Sequence, residues 1–135
     1  LGLRALLDPR IKRIALANPR VAPYGRAAES ALRAAGLEEP LRPKCVFGDN
    51  VAQAAQFLQS GAAEAGLVSR SQALHPALAA SGATWEVPVA IAPALRQAGA
   101  VLARGKAPEF ARAFRDFLTG AEGQAILLRH GFGRP

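Results

Sequence analysis

The sequence predicts an α/β layer fold: a three-layer arrangement in which a largely parallel sheet carries helices on its faces. Three observations carry that prediction. Short apolar runs alternate with segments of helical periodicity in the order β-α-β-α-β. The connections between them are short. Proline, glycine and asparagine punctuate the changes from one element to the next.

Residues 13–17 (RIALA) read as a buried strand, with Ile14 and Leu16 on one side. Asn18, Pro19 and Arg20 break it, and Pro23 opens the next element. Residues 24–35 place Ala28, Ala31, Leu32 and Ala35 on one helical stripe, and Gly36 stands where a left-handed residue closes a helix. Residues 38–43 (EEPLRP) read as a polar loop, and residues 44–47 as a second strand. Gly48, Asp49 and Asn50 form a turn, with Asp49 or Asn50 as the cap of a helix over residues 51–60 that Gly61 ends. Residues 64–68 (EAGLV) read as a third strand, with Ser69, Arg70 and Ser71 at its carboxyl end. Residues 85–92 (WEVPVAIA) look extended, and residues 99–103 (GAVLA) read as another strand. Pro108 begins an amphipathic helix whose Phe110, Phe114, Phe117 and Leu118 form a core-facing stripe. A last helix covers residues 121–129 and ends at Gly131.

The 135 residues are 50% hydrophobic and 20% charged, which suits one compact domain and excludes a disordered chain. The longest apolar stretch, residues 87–95, holds two prolines and falls short of the ~20 residues of a membrane-spanning helix. One cysteine rules out an internal disulfide framework, and two well-separated histidines offer little for a metal site. The formal charge of +7 favours anionic partners. Yet the basic residues are scattered, and the densest group is only Arg10, Lys12 and Arg13. With one Trp and one Tyr for base stacking, a solvated face accounts for most of these charges. The chain contains no methionine and no signal-peptide pattern, so a processed form or part of a longer protein is expected.

In open α/β sheets, ligands sit beyond the carboxyl ends of the strands, where helix starts also point. Two junctions match: NPRVAPYG at residues 18–25 and GDNV at residues 48–51. The first turn of each helix leaves N–H groups unpaired and carries the positive end of the helix dipole. Two such starts facing one cleft would hold a small anion without a formal counter-charge. The hydroxyl of Ser69 or Ser71 could add a donor. Against this stands the plain alternative that Asp49 or Asn50 caps only its own helix. Neither glycine-rich phosphate-loop pattern is present. Nucleophilic catalysis lacks support, because neither Cys45 nor any serine has a histidine and an acid at recognisable spacing. Cys45 reads as a small core residue and Trp85 as a packing residue. His75 precedes a proline in a loop, and His130 lies in the last helical turn.

At these junctions the sequence resembles the periplasmic molybdate-binding proteins, the substrate-capturing components of molybdate ABC importers. IALANPRVAPYGRAAESAL, FGDNVAQAAQFLQSGAAEAGLVSRSQAL, WEVPVAIAPALRQAGAVLARG and FRDFLTGAEGQAILLRHGFGRP carry the resemblance in unbroken order. The blocks NP-x-x-AP-x-G, DNV-x-QA and EGQAIL-x-x-x-G-F are fairly specific in combination.

The resemblance implies part of a two-lobed, type II periplasmic solute-binding fold of about twice this length. Residues 1–86 would form the second, anion-binding lobe. Residues 87–135 would be the hinge crossover and a return segment that completes the first lobe. It places molybdate, and tungstate with it, on the backbone N–H groups of Tyr24 and Val51, with Ser69 where some members carry a tyrosine. It implies no enzyme activity, no cofactor, and molybdenum bound only as its oxyanion. The expected partners are the importer's membrane permease and, through surface left by a missing lobe, a second copy. The expected setting is periplasmic, free or lipid-anchored. A further expectation is weaker binding by this chain alone than by a two-lobed protein, with part of the phenylalanine stripe exposed. The competing readings are a ligand-sensing domain of a transcription regulator with the same architecture and a basic nucleic-acid-binding module. An enzyme acting on an anionic substrate ranks last.

Overall fold

The structure, a computed structural model, describes residues 2–93 and 95–133. Composition argued for one compact domain; the chain instead divides into two compact units, Leu1–Leu95 and Arg96–Pro135.

The first unit is built around strand β1 (Ile14–Ala17), which is buried along its whole length. Successive side chains on a strand point to opposite faces, so β1 feeds two cores. Ile14 and Leu16 pack with Ala28, Ala31 and Leu32 of helix α1 (Pro23–Ala34). Ala15 packs with Ala54 of a later helix, α3 (Val51–Gln59), and with Ala63. Strands β2 (Cys45–Gly48) and β3 (Ala65–Gly66) flank β1, both parallel to it, in the order β2-β1-β3. The register pairs Ile14 with Cys45 and Ala65, and Ala17 with Gly48. These are the parallel sheet and flanking helices that the alternating pattern predicted.

The helix α1 closes as expected. Gly36 takes φ +68°, Leu37 N–H donates to Leu32 O at 2.8 Å, and Gly36 N–H donates to Arg33 O at 3.0 Å. This double bond pattern needs a left-handed residue, which glycine adopts without a Cβ clash.

Several expectations are corrected. Residues 38–43, read as a loop, form helix α2 (Glu38–Leu41) running into a 3-10 turn, Arg42–Lys44. Pro40 falls at a first-turn position whose N–H would be unpaired anyway, and fully buried Leu41 anchors the turn in the core. Lys44 Nζ donates to Leu6 O and Asp8 O at 3.2 and 3.1 Å, fastening a 3-10 turn, Leu3–Leu7, whose Leu3 and Leu6 complete that core. β3 is two residues rather than five, because after Leu67 N–H donates to Ala15 O the chain leaves β1. Two four-residue helices follow, α4 (Arg70–Ala73) and α5 (Pro76–Ala79). His75 caps α5 rather than lying in an open loop. Residues 83–88 are irregular, and a turn follows in which Ile91 and Ala92 N–H groups both donate to Pro88 O. Trp85 is half-exposed rather than packed away.

The second unit holds helices α6 (Pro108–Thr119) and α7 (Ala121–Arg129). They join tightly at Gly120, and Gln124 Nε2 donates to Leu118 O at 2.8 Å. Residues 99–103, read as a strand, have no strand conformation, since a strand persists only where a neighbour takes up its backbone groups. The α6 stripe was expected to face a core, yet Phe110 and Phe114 are 73% and 61% exposed. Periodicity identified the apolar face; it could not supply something to cover it. The exposed phenylalanines match what the resemblance implied.

Candidate functional site

The register that pairs Ala17 with Gly48 brings β1 and β2 to the same carboxyl edge, and Asn18 N–H extends the ladder to Gly48 O at 2.7 Å. Both helices that matter begin just beyond this edge.

After β1, the loop closes on itself. Asn18 O accepts from Val21 N–H and Ala22 N–H at 3.2 and 2.9 Å, and Asn18 Oδ1 accepts from Arg20 N–H at 3.0 Å. Ala22 caps α1 without a side-chain bond, and its carbonyl takes the N–H groups of Gly25 and Arg26. Pro23 has no N–H to give. One first-turn donor is therefore left over: Tyr24 N–H has no hydrogen-bond partner among the described residues. Gly25 is what lets α1 start so close to the strand. A Cβ there would strike Ala17 O and lie 2.7 Å from Asn18 C.

After β2, the same result is reached by different means. Asn50 caps α3, its Oδ1 accepting from Gln53 N–H at 3.0 Å, while Gln53 Oε1 accepts from Asp49 N–H at 2.6 Å. This is a reciprocal capping pair made from two neutral side chains. Of the two residues put forward as the cap, Asn50 is the one that serves. It does not exhaust the helix start, because Val51 N–H and Ala52 N–H remain without partners among the described residues. Gly48 permits the close seating here, since a Cβ would lie 3.0 Å from Ala54 N.

Ser69 follows β3, on the other flank of β1. It is buried and acts first as a cap: Oγ accepts from Gln72 N–H at 3.2 Å and shares a hydrogen bond with Ser71 Oγ at 3.0 Å. The topology thus brings all three predicted residues, Tyr24, Val51 and Ser69, to one edge of the sheet. Sequence reasoning missed the part played by Gln53, although the N-x-x-Q spacing of a capping pair was there to be read.

A cleft of about 400 Å³ lies alongside, lined by Asn18, Arg20, Gly25, Glu38, Cys45 and Phe47 among others. Tyr24, Val51 and Ser69 do not line it. Cys45 donates to Leu41 O at 3.3 Å, and burial pushes its thiol up from the ordinary value against a smaller pull from Arg42. A thiol held protonated in this way makes a poor nucleophile. Among the described residues no cluster of His, Cys, Asp and Glu could hold a metal ion. What the helix starts at the carboxyl edge offer is a set of neutral backbone donors.

Comparison with known proteins gives a consistent result. A family model described as bacterial extracellular solute-binding protein matches residues 1–133. The molybdate-binding protein ModA of Azotobacter vinelandii is 37% identical over 122 residues, covering 90% of this chain and 48% of that protein. ModA of Rhodobacter capsulatus is 33% identical over 128 residues, covering 95% of this chain and 50% of that protein. The solved periplasmic molybdate-binding protein of Azotobacter vinelandii superimposes with a TM-score of 0.86 at 28% identity, covering 98% of this chain and 58% of that one. The chain spans about half the length of the relatives it matches.

Proposed function

The chain belongs to the bacterial extracellular solute-binding protein family, and from that premise we propose that it binds molybdate, and tungstate alongside it, for an ABC importer. The observation that carries this reading is the pair of unpartnered first-turn donors, Tyr24 N–H and Val51 N–H, at one edge of the sheet. Both relatives at 33–37% identity are molybdate-binding proteins, which supports the choice of anion.

Near neutral pH molybdate is a tetrahedral dianion with no proton of its own. Its oxygens need donors only, and backbone amides at helix starts meet that need while the helix dipole offsets charge. Amides do not titrate, so these donors keep their strength as pH varies. Monohydrogen phosphate carries a hydroxyl that needs an acceptor, and a donors-only site disfavours it. Sulfate has the right charge and a smaller radius, so cavity size separates it. Tungstate nearly matches molybdate in both respects. Ser69 is the weakest of the three contacts, because its Oγ accepts from Gln72 N–H and shares a hydrogen bond with Ser71 Oγ, which competes for its one proton.

In this reading residues 1–86 are the anion-binding lobe, and residues 87–135 cross a hinge and return toward the other lobe. Closure of the two lobes buries the anion and presents a surface to the membrane permease. The working place is extracytoplasmic, and no helix among the described residues is long and apolar enough to cross a membrane. The exposed face of α6 is where a second lobe or a second copy of the chain would rest.

Calorimetric titration of the 135-residue chain with four anions tests the assignment. Molybdate and tungstate are expected to bind with similar, modest affinity, sulfate more weakly and phosphate least. Absence of saturable molybdate binding, or preference for phosphate, overturns it.

A further inference from the structure

The cleft beside the sheet is not used by the residues assigned to the oxyanion. It opens between strand β2, at the edge of the sheet, and helices α1 and α2, and holds about 400 Å³. That volume falls in the range of small-molecule sites, which combine an apolar lining with a few fixed polar groups. Leu16, Leu32, Cys45 and Phe47 form the apolar part. Leu16 and Leu32 are buried, whereas Phe47, the register partner of Leu16, is 52% exposed. An aromatic ring left half in water beside a cleft is a platform for another flat apolar group.

The polar lining divides into groups already matched and groups still unspent. Glu38 is paired with Arg33 at 2.7 Å, Glu29 lies 3.6 Å from the same guanidinium, and Arg42 lies 3.0 Å from Glu39. Arg20 differs: its guanidinium has no ion pair or hydrogen bond among the described residues. Asn18 is pinned by its backbone, with its N–H on Gly48 O and its carbonyl taking Val21 and Ala22 N–H. Its Oδ1 accepts from Arg20 N–H at 3.0 Å, which leaves Nδ2 as the end of the side chain with no partner among the described residues. The unspent polar groups of the cleft are therefore both donors, and one of them is a cation.

We propose that this cleft is a second ligand site, which takes a small organic carboxylate with a flat apolar body, its charged end on Arg20 and Asn18 and its body on Phe47. Guanidinium and amide donors suit the two oxygens of a carboxylate, and the bond to the cation is the stronger kind. An ammonium ligand would find both lining carboxylates already paired with arginine. A neutral ligand would leave Arg20 unused. The proposal stands apart from the oxyanion reading, because Tyr24, Val51 and Ser69 do not line the cleft.

The experiment is an amide-detected NMR titration of the 135-residue chain with three probes of one shape: sodium benzoate, benzyl alcohol and benzylammonium chloride. Benzoate is expected to move the Leu32, Cys45 and Phe47 amides and the Asn18 side-chain amide together, saturating on the order of millimolar, as a nine-atom ligand should. Benzyl alcohol is expected to bind about fivefold more weakly, and benzylammonium not to saturate. Arg20→Gln changes an exposed loop side chain and is expected to weaken benzoate about fivefold while leaving benzyl alcohol unchanged. Phe47→Val keeps a strand-forming side chain, removes the ring, and is expected to weaken both about tenfold. Absence of saturable shifts with benzoate overturns the proposal, as does equal binding of the three probes or full benzoate binding by Arg20→Gln. If benzoate moves Val51 and leaves Phe47 in place, it is using the helix starts, and the proposal falls while the oxyanion reading stands.

Discussion

The two edges of the sheet treat their loose amides in opposite ways. At the amino edge, Lys12 and Arg13 N–H groups are both taken by one carboxylate, Glu64 Oε2, at 3.0 and 2.7 Å. Arg13 Nη2 lies 3.5 Å from the other oxygen of the same group, Oε1. At the carboxyl edge, the loose amides are trimmed by neutral groups, Asn18, Asn50, Gln53 and Ser69, and the remainder are left open. The lesson concerns where a protein places its own anions. Where donors must be put away, the chain supplies a carboxylate. At the carboxyl edge, the caps it supplies are neutral side chains.

The comparison can be broken most severely at Gly25. A side chain there meets the backbone at the end of β1, so Gly25→Val must push α1 off the strand. The expected cost is about 3 kcal/mol, read as a lower denaturant midpoint, with anion response lost at Tyr24. A variant as stable as the parent would show that the close seating of α1 is incidental. A smaller effect comes from Asn50→Ala, which removes the bond to Gln53 N–H. The expected loss is about 1 kcal/mol, together with weaker molybdate binding, and a calorimeter reads both.

The amino edge supplies the contrast. The hydrogen bond from Arg13 N–H, helped by that from Lys12 N–H, holds the Glu64 carboxyl below the usual range against the opposing effect of burial. A depressed folded value means that Glu64 contributes its stability in full above the ordinary value of 4.5, and that the contribution is lost as pH falls through the lower folded value. Glu64→Gln is expected to flatten this acid limb of the stability curve and leave molybdate binding unchanged. A change in binding would mean that the two edges are not independent. The smallest effect is expected at Glu122→Gln, which removes an acid from the α7 start and shifts the melting midpoint slightly, with no effect on the anion.

Much of this was legible in the sequence because the informative residues are those with narrow conformational roles. Pro23 and Gly25 mark the start of α1, Gly36 marks its end, and Asn50 marks the start of α3. The alternation Ile14, Ala15, Leu16 disclosed a strand with two buried faces. What stayed hidden depends on partners distant in sequence. The helix at Glu38–Leu41 forms because Leu41 finds a core, which two prolines in the segment concealed. Residues 99–103 have strand composition and no strand conformation. The phenylalanine stripe of α6 was recognised correctly as apolar and assigned wrongly to a core. Of the open amides at the two helix starts, Tyr24 and Val51 were singled out in advance and Ala52 was not, while the division of labour between Asn50 and Gln53 required coordinates. The same is true of Ser69, whose hydroxyl serves Gln72 before any ligand.

The most direct test follows the backbone amides themselves. In a nitrogen-15 titration of the chain with molybdate, Tyr24 and Val51 are expected to shift together and saturate with a single constant, while Lys12 and Arg13 amides stay where they are. Stationary signals at both helix starts, or shifts spread evenly over the arginine-rich surface, would contradict the account.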